Sequence, residues 1–210
     1  MFHGSWTNGR RAASDRVHDM NHPTNLTKVN LGCGAKKMAG FLNVDRVAGV
    51  GPDLVHDLNV HPYPMPDSAF DEICAYDVIE HVDDVLDFMG EIWRIGKPGA
   101  TVRITTPHFS CANAFTDPTH QRQMGYGSLD YFTQGHQWSF YSDCRFEVRS
   151  RSMVFEPTLV NKVVGRLANA HPAAYERRWA WIFPAWFLYF ELGVVKSSGP
   201  SVLPGGGAGP

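Results

Sequence analysis

Short apolar runs alternate with a helical pattern along the first half of the chain, and this alternation predicts a βαβ sheet. Phe70 to Tyr76 is predicted to form a strand. A helix capped by Asp83 or Asp84 follows, because apolar residues recur there every three or four positions. Gly96 and Pro98 are predicted to end that helix. The remaining predicted strands are 28–31, 42–44, 54–56, 100–105 and 146–155.

The two ends and one internal segment differ in composition from this alternating region. Residues 1–26 are predicted to form a polar arm. Residues 197–210 are rich in Gly, Pro and Ser and are predicted to form a disordered tail. A single domain is therefore expected over 27–196, with an irregular insertion at 107–138.

Composition excludes several classes of protein. The 210 residues carry a formal charge of -2 and are 43% hydrophobic, which indicates a globular domain and disfavours a nucleic-acid partner. Four cysteines never form a C-x-x-C pair, so reduced thiols are expected rather than zinc or disulfides. No apolar run follows the first arginines, which favours a cytoplasmic protein.

One aromatic stretch, 179–195, is apolar enough to raise the question of a membrane. It is 17 residues long and contains Pro184 and Glu191, whereas a spanning helix needs about 20 mostly apolar residues. We expect it to pack on the domain core or in the interface of a homodimer. Arg177 and Arg178 just before it leave a peripheral membrane contact open.

Glycine or aspartate follows three successive predicted strands. Gly32 and Gly34 flank the turn after the first strand, where a ligand could approach the backbone. Asp45 ends the second strand and is suited to a ribose diol, and Asp57 follows the third. A nicotinamide or flavin fingerprint is absent, since Lys37 occupies the third glycine position. The pattern therefore predicts a nucleotide-like ligand at the carboxyl edge of the sheet.

A set of ordered motifs covers about residues 28–107: VNLGCG (29–34), NVD (43–45), HDL (56–58), PMPDSAFDEI (64–73), DVIEHV (77–82) and EIWRIGKPGATVRIT (91–105). Together they resemble the small type 11 group of class I S-adenosylmethionine-dependent methyltransferases. The resemblance implies an α/β, Rossmann-like sheet, mostly parallel with an antiparallel last strand and with helices on both faces. The sequence departs from the family at Ala100, the last position of K-P-G-G, and in a short first crossover before Asp45.

The resemblance also implies that S-adenosyl-L-methionine is the cofactor. Gly32 and Gly34 would pass under its methionine and ribose portion, Asp45 would hold the ribose hydroxyls, and Asp57 with Leu58 would frame the adenine. The full set of expected cofactor-binding residues is Gly32, Cys33, Gly34, Asp45, Arg46, Asp57, Leu58 and Asp77.

Histidines in or near the insertion are the candidate catalytic groups. Methyl transfer to a hydroxyl requires removal of its proton, and imidazole has a suitable pKa. His120 ranks first, because Asp117 could orient it, and His108 ranks second. His81 and His136 complete the group, and any of these histidines could instead be a structural, hydrogen-bonded residue.

A divalent metal such as magnesium is a further candidate cofactor. Asp77, Glu80 and His81 form D-x-x-E-H, which resembles the E-x-x-E-H metal element of ubiquinone-pathway O-methyltransferases. Asp77 replaces the first Glu, and the same residues could simply start and pack a helix.

The acceptor is inferred only as a class. The insertion supplies aromatic rings such as Tyr126 and Tyr131 and polar groups such as Gln121 and Arg122, a mixture suited to a sugar or polyol. We therefore expect O-methylation of a glycan or other small metabolite, with a phenol left open. The alternative is a cofactor-binding or membrane-peripheral partner protein without catalysis.

Overall fold

The computed structural model describes residues 26–196, which form one seven-stranded sheet with helices packed against it. The strands are β1 Lys28–Leu31, β2 Leu42–Asp45, β3 Leu54–Val55, β4 Phe70–Tyr76, β5 Gly96–Pro107, β6 Arg145–Val154 and β7 Phe187–Val195. The α-helices are α1 Val85–Ile95, α2 Asn113–Thr116, α3 Leu159–Ala170 and α4 Pro172–Arg178. Single 3₁₀ turns lie at Ala48–Val50, Ser128–Phe132 and Ser139–Tyr141.

The strand order is β3-β2-β1-β4-β5-β7-β6, and only β7 runs against its neighbours. Strands β2 and β3 lie on one side of β1, and β4, β5, β7 and β6 lie on its other side. The point of reversal between β1 and β4 opens a crevice where ligands bind in such sheets. The predicted fold class, including the antiparallel last strand, is confirmed.

Helix α1 forms where its apolar periodicity predicts it. Asp84 is the cap, since its carboxylate accepts from the backbone N–H groups of Leu86 and Asp87. Four side chains on one face are completely buried against the sheet: Phe88, Met89, Ile92 and Ile95. The helix ends at Ile95, as predicted, and β5 begins at the next residue.

The first crossover, from β1 to β2, contains no helix. The buried amide of Asn43 takes over the role of ordering this loop: its Oδ1 accepts from the Met38 N–H at 2.7 Å and from Asn30 at 3.1 Å. Its Nδ2 donates to Asp53 at 2.8 Å. The short crossover expected from the sequence is therefore present, and side-chain hydrogen bonds organise it instead of helical ones.

The second half of the chain departs most from expectation. No helix is predicted in 156–178 from the sequence pattern, but α3 and α4 occupy most of it. The aromatic stretch 179–195 is split: its second part is β7, paired on both sides, whereas Trp179 and Trp181 in its first part are exposed. The stretch thus packs on protein only in part, because only β7 has strand partners.

The predicted arm, except residue 26, and the predicted tail lie outside the described residues. All four cysteines lie inside them and are free and buried. Within 26–196, none of the helices has the length and apolar character that crossing a bilayer requires.

Candidate functional site

A cavity of about 210 Å³ opens at the carboxyl ends of β1, β2, β3 and β4, beside the reversal of strand order. The strand register explains why residues distant in sequence meet there. Leu31 at the end of β1 pairs with Val44 on one side and Ala75 on the other, so the residues that follow come level. We call it the switch-point cavity; its lining residues are Gly32, Asp45, Arg46, His56, Asp57, Leu58, Asn59, Asp77, Val78, His81, Val82 and Thr119.

Six of the eight expected cofactor residues line this cavity: Gly32, Asp45, Arg46, Asp57, Leu58 and Asp77. The other two, Cys33 and Gly34, are not among the lining residues. Cys33 is buried, with its thiol 3.5 Å from the Gly34 carbonyl. Burial also raises the pKa of the Cys33 thiol, which keeps it neutral.

Gly32 has a positive φ of 65°, and a Cβ at this position would overlap the Val78 side chain. Only glycine therefore lets β1 turn directly beneath the cavity. Gly34 also has a positive φ, of 48°, and donates its N–H to Asp45 Oδ2 at 2.8 Å. The glycine loop and the end of β2 are thereby held together.

The Asp45 carboxylate is fixed from two sides before any ligand is considered. Oδ1 accepts from the Val47 N–H at 2.9 Å, while Oδ2 accepts from Gly34. Each carboxylate oxygen has a further lone pair, so both can still accept from a pair of hydroxyls. Asp57 is fixed similarly, since its Oδ1 accepts from the Asn59 N–H at 3.0 Å.

The β4-to-α1 turn brings together a trio that differs from the sequence-based metal set. Ligand atoms of Glu80, His81 and His120 lie within 4.8 Å of one another. Asp77 is not a member: it has a positive φ of 57°, and its Oδ1 accepts from Thr105 at 2.9 Å. His120 takes the third place because the insertion folds back over this turn.

Glu80 is the unusual member of the trio. Both of its carboxylate oxygens, like His120 Nδ1, are buried without a hydrogen-bond partner among the described residues. Burial raises the pKa of Glu80 to about 7. Its nearest cationic candidate is His120, whose Nε2 is 4.0 Å from Oε1. The buried Glu80 carboxylate therefore needs either a bound proton or a nearby cation to balance its charge.

Thr119 connects the cavity wall to Asp117. Its hydroxyl donates its single proton to Asp117 Oδ1 at 2.7 Å and lies 2.9 Å from His81 Nδ1. His81 must then donate through Nδ1, which leaves Nε2 with a lone pair. The bonds from Thr119 lower the pKa of Asp117, so this carboxylate is ionised at neutral pH.

The insertion is anchored on the same turn. Gln121 donates its backbone N–H to the Glu80 carbonyl at 2.8 Å and its amide to Asp83 at 2.7 Å. Arg122 donates to the Val82 carbonyl at 2.6 Å. These bonds fix His120 and Thr119 beside the switch-point cavity.

The other two candidate histidines lie elsewhere. His108 is completely buried, with Nδ1 2.7 Å from Ser110 Oγ and Nε2 3.2 Å from Glu176. Neither ring nitrogen is left for a substrate. His136 packs with Tyr131 and Trp138, away from the residues that line the cavity.

Five lining residues were missed from the sequence: His56, Asn59, Val78, Val82 and Thr119. His56 is the first residue of the motif HDL and Asn59 directly follows it, so both lie next to residues that the sequence indicated. Thr119 could be found only by knowing that the insertion folds onto β4, because nothing in its local sequence indicates a contact with His81.

Comparison with known proteins identifies one part of the chain. A family model described as a methyltransferase domain matches residues 24–104. A Mycolicibacterium smegmatis protein described as a "Probable S-adenosylmethionine-dependent methyltransferase" is 29% identical over 75 residues, or 34% of this chain. The match spans only 29% of that relative's length.

Solved structures resemble the whole described fold. The YcgJ protein of Bacillus subtilis aligns with a TM-score of 0.52 at 15% identity, over 80% of this chain and 91% of that one. An S-adenosylmethionine-dependent methyltransferase from Archaeoglobus fulgidus aligns with a TM-score of 0.50 at 17% identity, over 81% and 87% of the two chains. At these identities the structures support the fold and nothing finer.

Proposed function

We propose that this chain, which carries a class I S-adenosylmethionine-dependent methyltransferase domain, binds that cofactor in the switch-point cavity and methylates a hydroxyl of a sugar, glycan or other small metabolite. The observation that carries the proposal is the juxtaposition of Gly32, Asp45 and Asp57 around one cavity. Packing alone does not require two carboxylates and a glycine of positive φ at successive strand ends.

Each part of the cofactor has a proposed partner among the residues at this edge of the sheet. The absence of a side chain at Gly32 leaves room for the amino-acid portion, and Asp45 keeps lone pairs for the two ribose hydroxyls. Asp57 can accept from the adenine amine, while Leu58 offers an apolar surface to the ring. When bound, S-adenosylmethionine supplies an electrophilic methyl group on a sulfonium.

The chain's own task is then to orient an acceptor and remove its proton. We assign proton removal to His81, since it lines the cavity and has an available Nε2. Thr119 and Asp117 would stabilise the imidazolium that forms, because the ionised carboxylate ends the hydrogen-bond chain. His120, ranked first from the sequence, lies behind His81, with ring centroids 4.6 Å apart.

A hydroxyl acceptor is favoured by the polar wall around His81. Thr119, Asp77 and Asn59 all line the cavity close to the β4 end and can hydrogen bond to neighbouring hydroxyls. A sugar or polyol suits this set. A phenol remains the competing acceptor, and a screen of acceptors separates the two.

A divalent cation is a second candidate for this site, favoured by the unpartnered atoms of Glu80 and His120. Two imidazoles and one carboxylate suit Zn²⁺, Mn²⁺ or Fe²⁺ better than Mg²⁺, which prefers oxygen ligands. Glu80, His81 and His120 would hold the ion. A bound ion there would act as a Lewis acid toward a hydroxyl.

Calorimetry and a product assay test the proposal. The chain should bind S-adenosylmethionine and not NAD, and should release S-adenosylhomocysteine with at least one member of a panel of sugars, phenols and amines. The panel is run with EDTA, Mg²⁺, Mn²⁺ or Zn²⁺. Cofactor binding without release for any acceptor or metal would favour the non-catalytic alternative, and NAD binding would refute the cofactor assignment.

Variants assign the proton acceptor. His81→Ala should slow release by about a hundredfold or more while changing cofactor affinity little. His136→Ala is the matched control, because it removes a histidine of the insertion outside the cavity lining, and should change neither quantity. If His120→Ala abolishes release and His81→Ala does not, the role belongs to His120.

A further inference from the structure

The two helices between β6 and β7 present a continuous apolar surface to solvent. On α3, Leu159, Val163 and Leu167 are spaced about one turn apart, and Leu159 is 82% exposed. After α4, Trp179 is 52% and Trp181 is 69% exposed. We call this the α3–α4 surface; it comprises Leu159, Val160, Val163, Leu167, Trp179, Trp181 and Ile182.

An apolar groove of about 350 Å³ joins the two helices into one surface. Val164 and Leu167 line it from α3, Ala174 lines it from α4, and Trp179 lies at its end. Val164 also packs against the domain core, whereas Leu167 and Trp179 are mostly exposed. Isolated apolar residues on a surface are normal, but a contiguous patch of this kind marks an interaction site.

Basic residues border the same surface without partners. Between 156 and 190 the chain has four Lys or Arg and two acidic residues, Glu156 and Glu176, so basic residues are in excess. Lys162 and Arg166 are one turn apart at the edge of the exposed apolar arc of α3, and Arg177 and Arg178 end α4. All four are exposed, and none is in a salt bridge within residues 26–196.

Of the two acidic residues, Glu156 is exposed before α3, whereas Glu176 is turned away from this surface. Glu176 Oε1 lies 3.2 Å from His108 Nε2 and accepts from the Tyr126 N–H at 2.5 Å. Although burial opposes ionisation, these bonds lower the pKa of Glu176. Its negative charge therefore interacts with groups inside the protein and not with the basic residues of the surface. The α3–α4 surface is therefore apolar with positive edges.

We propose that the α3–α4 surface docks on the face of an anionic lipid bilayer. Exposed leucine, valine and tryptophan side chains can enter the headgroup boundary, and lysine and arginine at the edge can reach phosphate groups. Tryptophan is suited to this boundary because its ring is apolar and its N–H is polar. A second copy of the chain is a poorer occupant, since pairing would bring two sets of unpaired positive charges together.

The surface is rigid enough to dock as a unit. The Asn169 amide of α3 accepts from the Met153 N–H at 2.8 Å and donates to the Met153 carbonyl at 2.9 Å, which fixes α3 to β6. The Glu176 bonds fix α4 to the end of β5. Docking therefore requires no unfolding, and it does not depend on the proposed methyl transfer.

Vesicle co-sedimentation tests the proposal with the full chain. Wild type should sediment with phosphatidylcholine vesicles containing phosphatidylglycerol and much less with phosphatidylcholine alone. The double variant Lys162→Gln/Arg166→Gln should bind anionic vesicles about thirtyfold more weakly, at about 1 kcal/mol per basic residue. Val163→Ser/Leu167→Ser should weaken binding at least tenfold through lost apolar burial.

Matched controls share the chemistry and lie elsewhere. Phe140→Ser removes a residue that is 69% exposed near the start of β6, and Lys97→Gln neutralises a lysine at the start of β5. Both should bind as wild type does. Circular dichroism and cofactor affinity confirm that each variant is folded.

Three results would overturn the inference. One is failure of wild type to sediment with anionic vesicles, and another is equal binding by wild type and both double variants. The third comes from sedimentation equilibrium without lipid: a dimer that Val163→Ser/Leu167→Ser dissociates would make the surface an interface between copies.

Discussion

The switch-point cavity and the α3–α4 surface are built in opposite ways. Around the cavity, polar groups such as Asp45 and Asp57 are already held by backbone N–H groups, so they are preorganised for a small polar ligand. Around the α3–α4 surface, apolar side chains are exposed, and the basic ones form no salt bridge within residues 26–196. A site whose polar groups are fixed by hydrogen bonds suits one small polar ligand, whereas an exposed apolar surface suits an extended partner such as a lipid bilayer.

The two regions also differ in whether the methyltransferase-domain family model covers them. The methyltransferase-domain match ends at residue 104, before the insertion, α3 and α4. The family model thus covers the cofactor edge and not the α3–α4 surface, although solved structures align with 80% or more of the chain. His108 and Glu176 join the two parts, because one follows β5 and the other belongs to α4.

Breaking that junction should have the largest effect on stability. His108→Ala removes a fully buried ring and leaves Glu176 without its imidazole partner, so we expect the free energy of unfolding to fall by about 3 kcal/mol or more. Urea unfolding at pH 7 measures it. His136→Ala, the control, should change the free energy of unfolding by less than about 1 kcal/mol.

A stable His108→Ala variant that fails to release S-adenosylhomocysteine would contradict this assignment. His108, which ranks second among the candidates from the sequence, would then be part of the catalytic machinery.

The cavity could be predicted from the sequence because each of its main residues is marked by a local pattern. Each strand end carries its own signal, such as Gly32 after β1 or Asp45 at the end of β2, and a parallel sheet brings those ends together. The cap of α1 at Asp84 was predictable for the same reason. Gly32, Asp45 and Asp57 follow from this rule without knowledge of any long-range contact, whereas Arg46, Leu58 and Asp77 were expected from the family resemblance.

The rest depends on contacts that no local pattern encodes. The metal-type trio needs His120 to meet Glu80 across 40 residues, so the sequence indicated Asp77 instead. In α3, apolar residues face solvent, and the helix is held by Asn169 and a Thr158 cap rather than by a buried apolar stripe. Strand β7 raised the question of a membrane because its buried face is entirely apolar, with Leu188, Phe190, Leu192 and Val194, and aromatic residues also occur on its other face.

Within the cavity region, Glu80 should be a source of instability that depends on pH. The folded protein holds the Glu80 proton up to about pH 7, whereas the unfolded chain releases it near the ordinary value of 4.5. Stability should therefore fall as pH rises through that window. Glu80→Gln should be more stable than wild type by roughly 3 kcal/mol at pH 8, at about 1.4 kcal/mol per pKa unit, and nearly equal to it at pH 4.5.

Metal content controls the Glu80 experiment. Unfolding is measured with EDTA, so that no cation compensates the carboxylate, and repeated with Zn²⁺. A stability difference that is independent of pH in EDTA would show that Glu80 is not held protonated. Stabilisation of wild type by Zn²⁺, absent in Glu80→Gln, would instead support the cation site.

The smallest expected effect isolates cofactor recognition from folding. Asp45→Ala removes the carboxylate that faces the cavity and should weaken S-adenosylmethionine binding about tenfold or more, because a charged acceptor for two hydroxyls is lost. Asp45→Asn keeps one acceptor oxygen, so its affinity for S-adenosylmethionine should lie between those of wild type and Asp45→Ala. Asp71→Ala is the matched control, since its carboxylate pairs with Lys97 at the opposite, amino end of β4 and should leave calorimetric affinity unchanged. If Asp45→Ala binds the cofactor as tightly as wild type, then the ribose lies elsewhere, and Asp45 serves only to hold the Gly34 loop through its hydrogen bond.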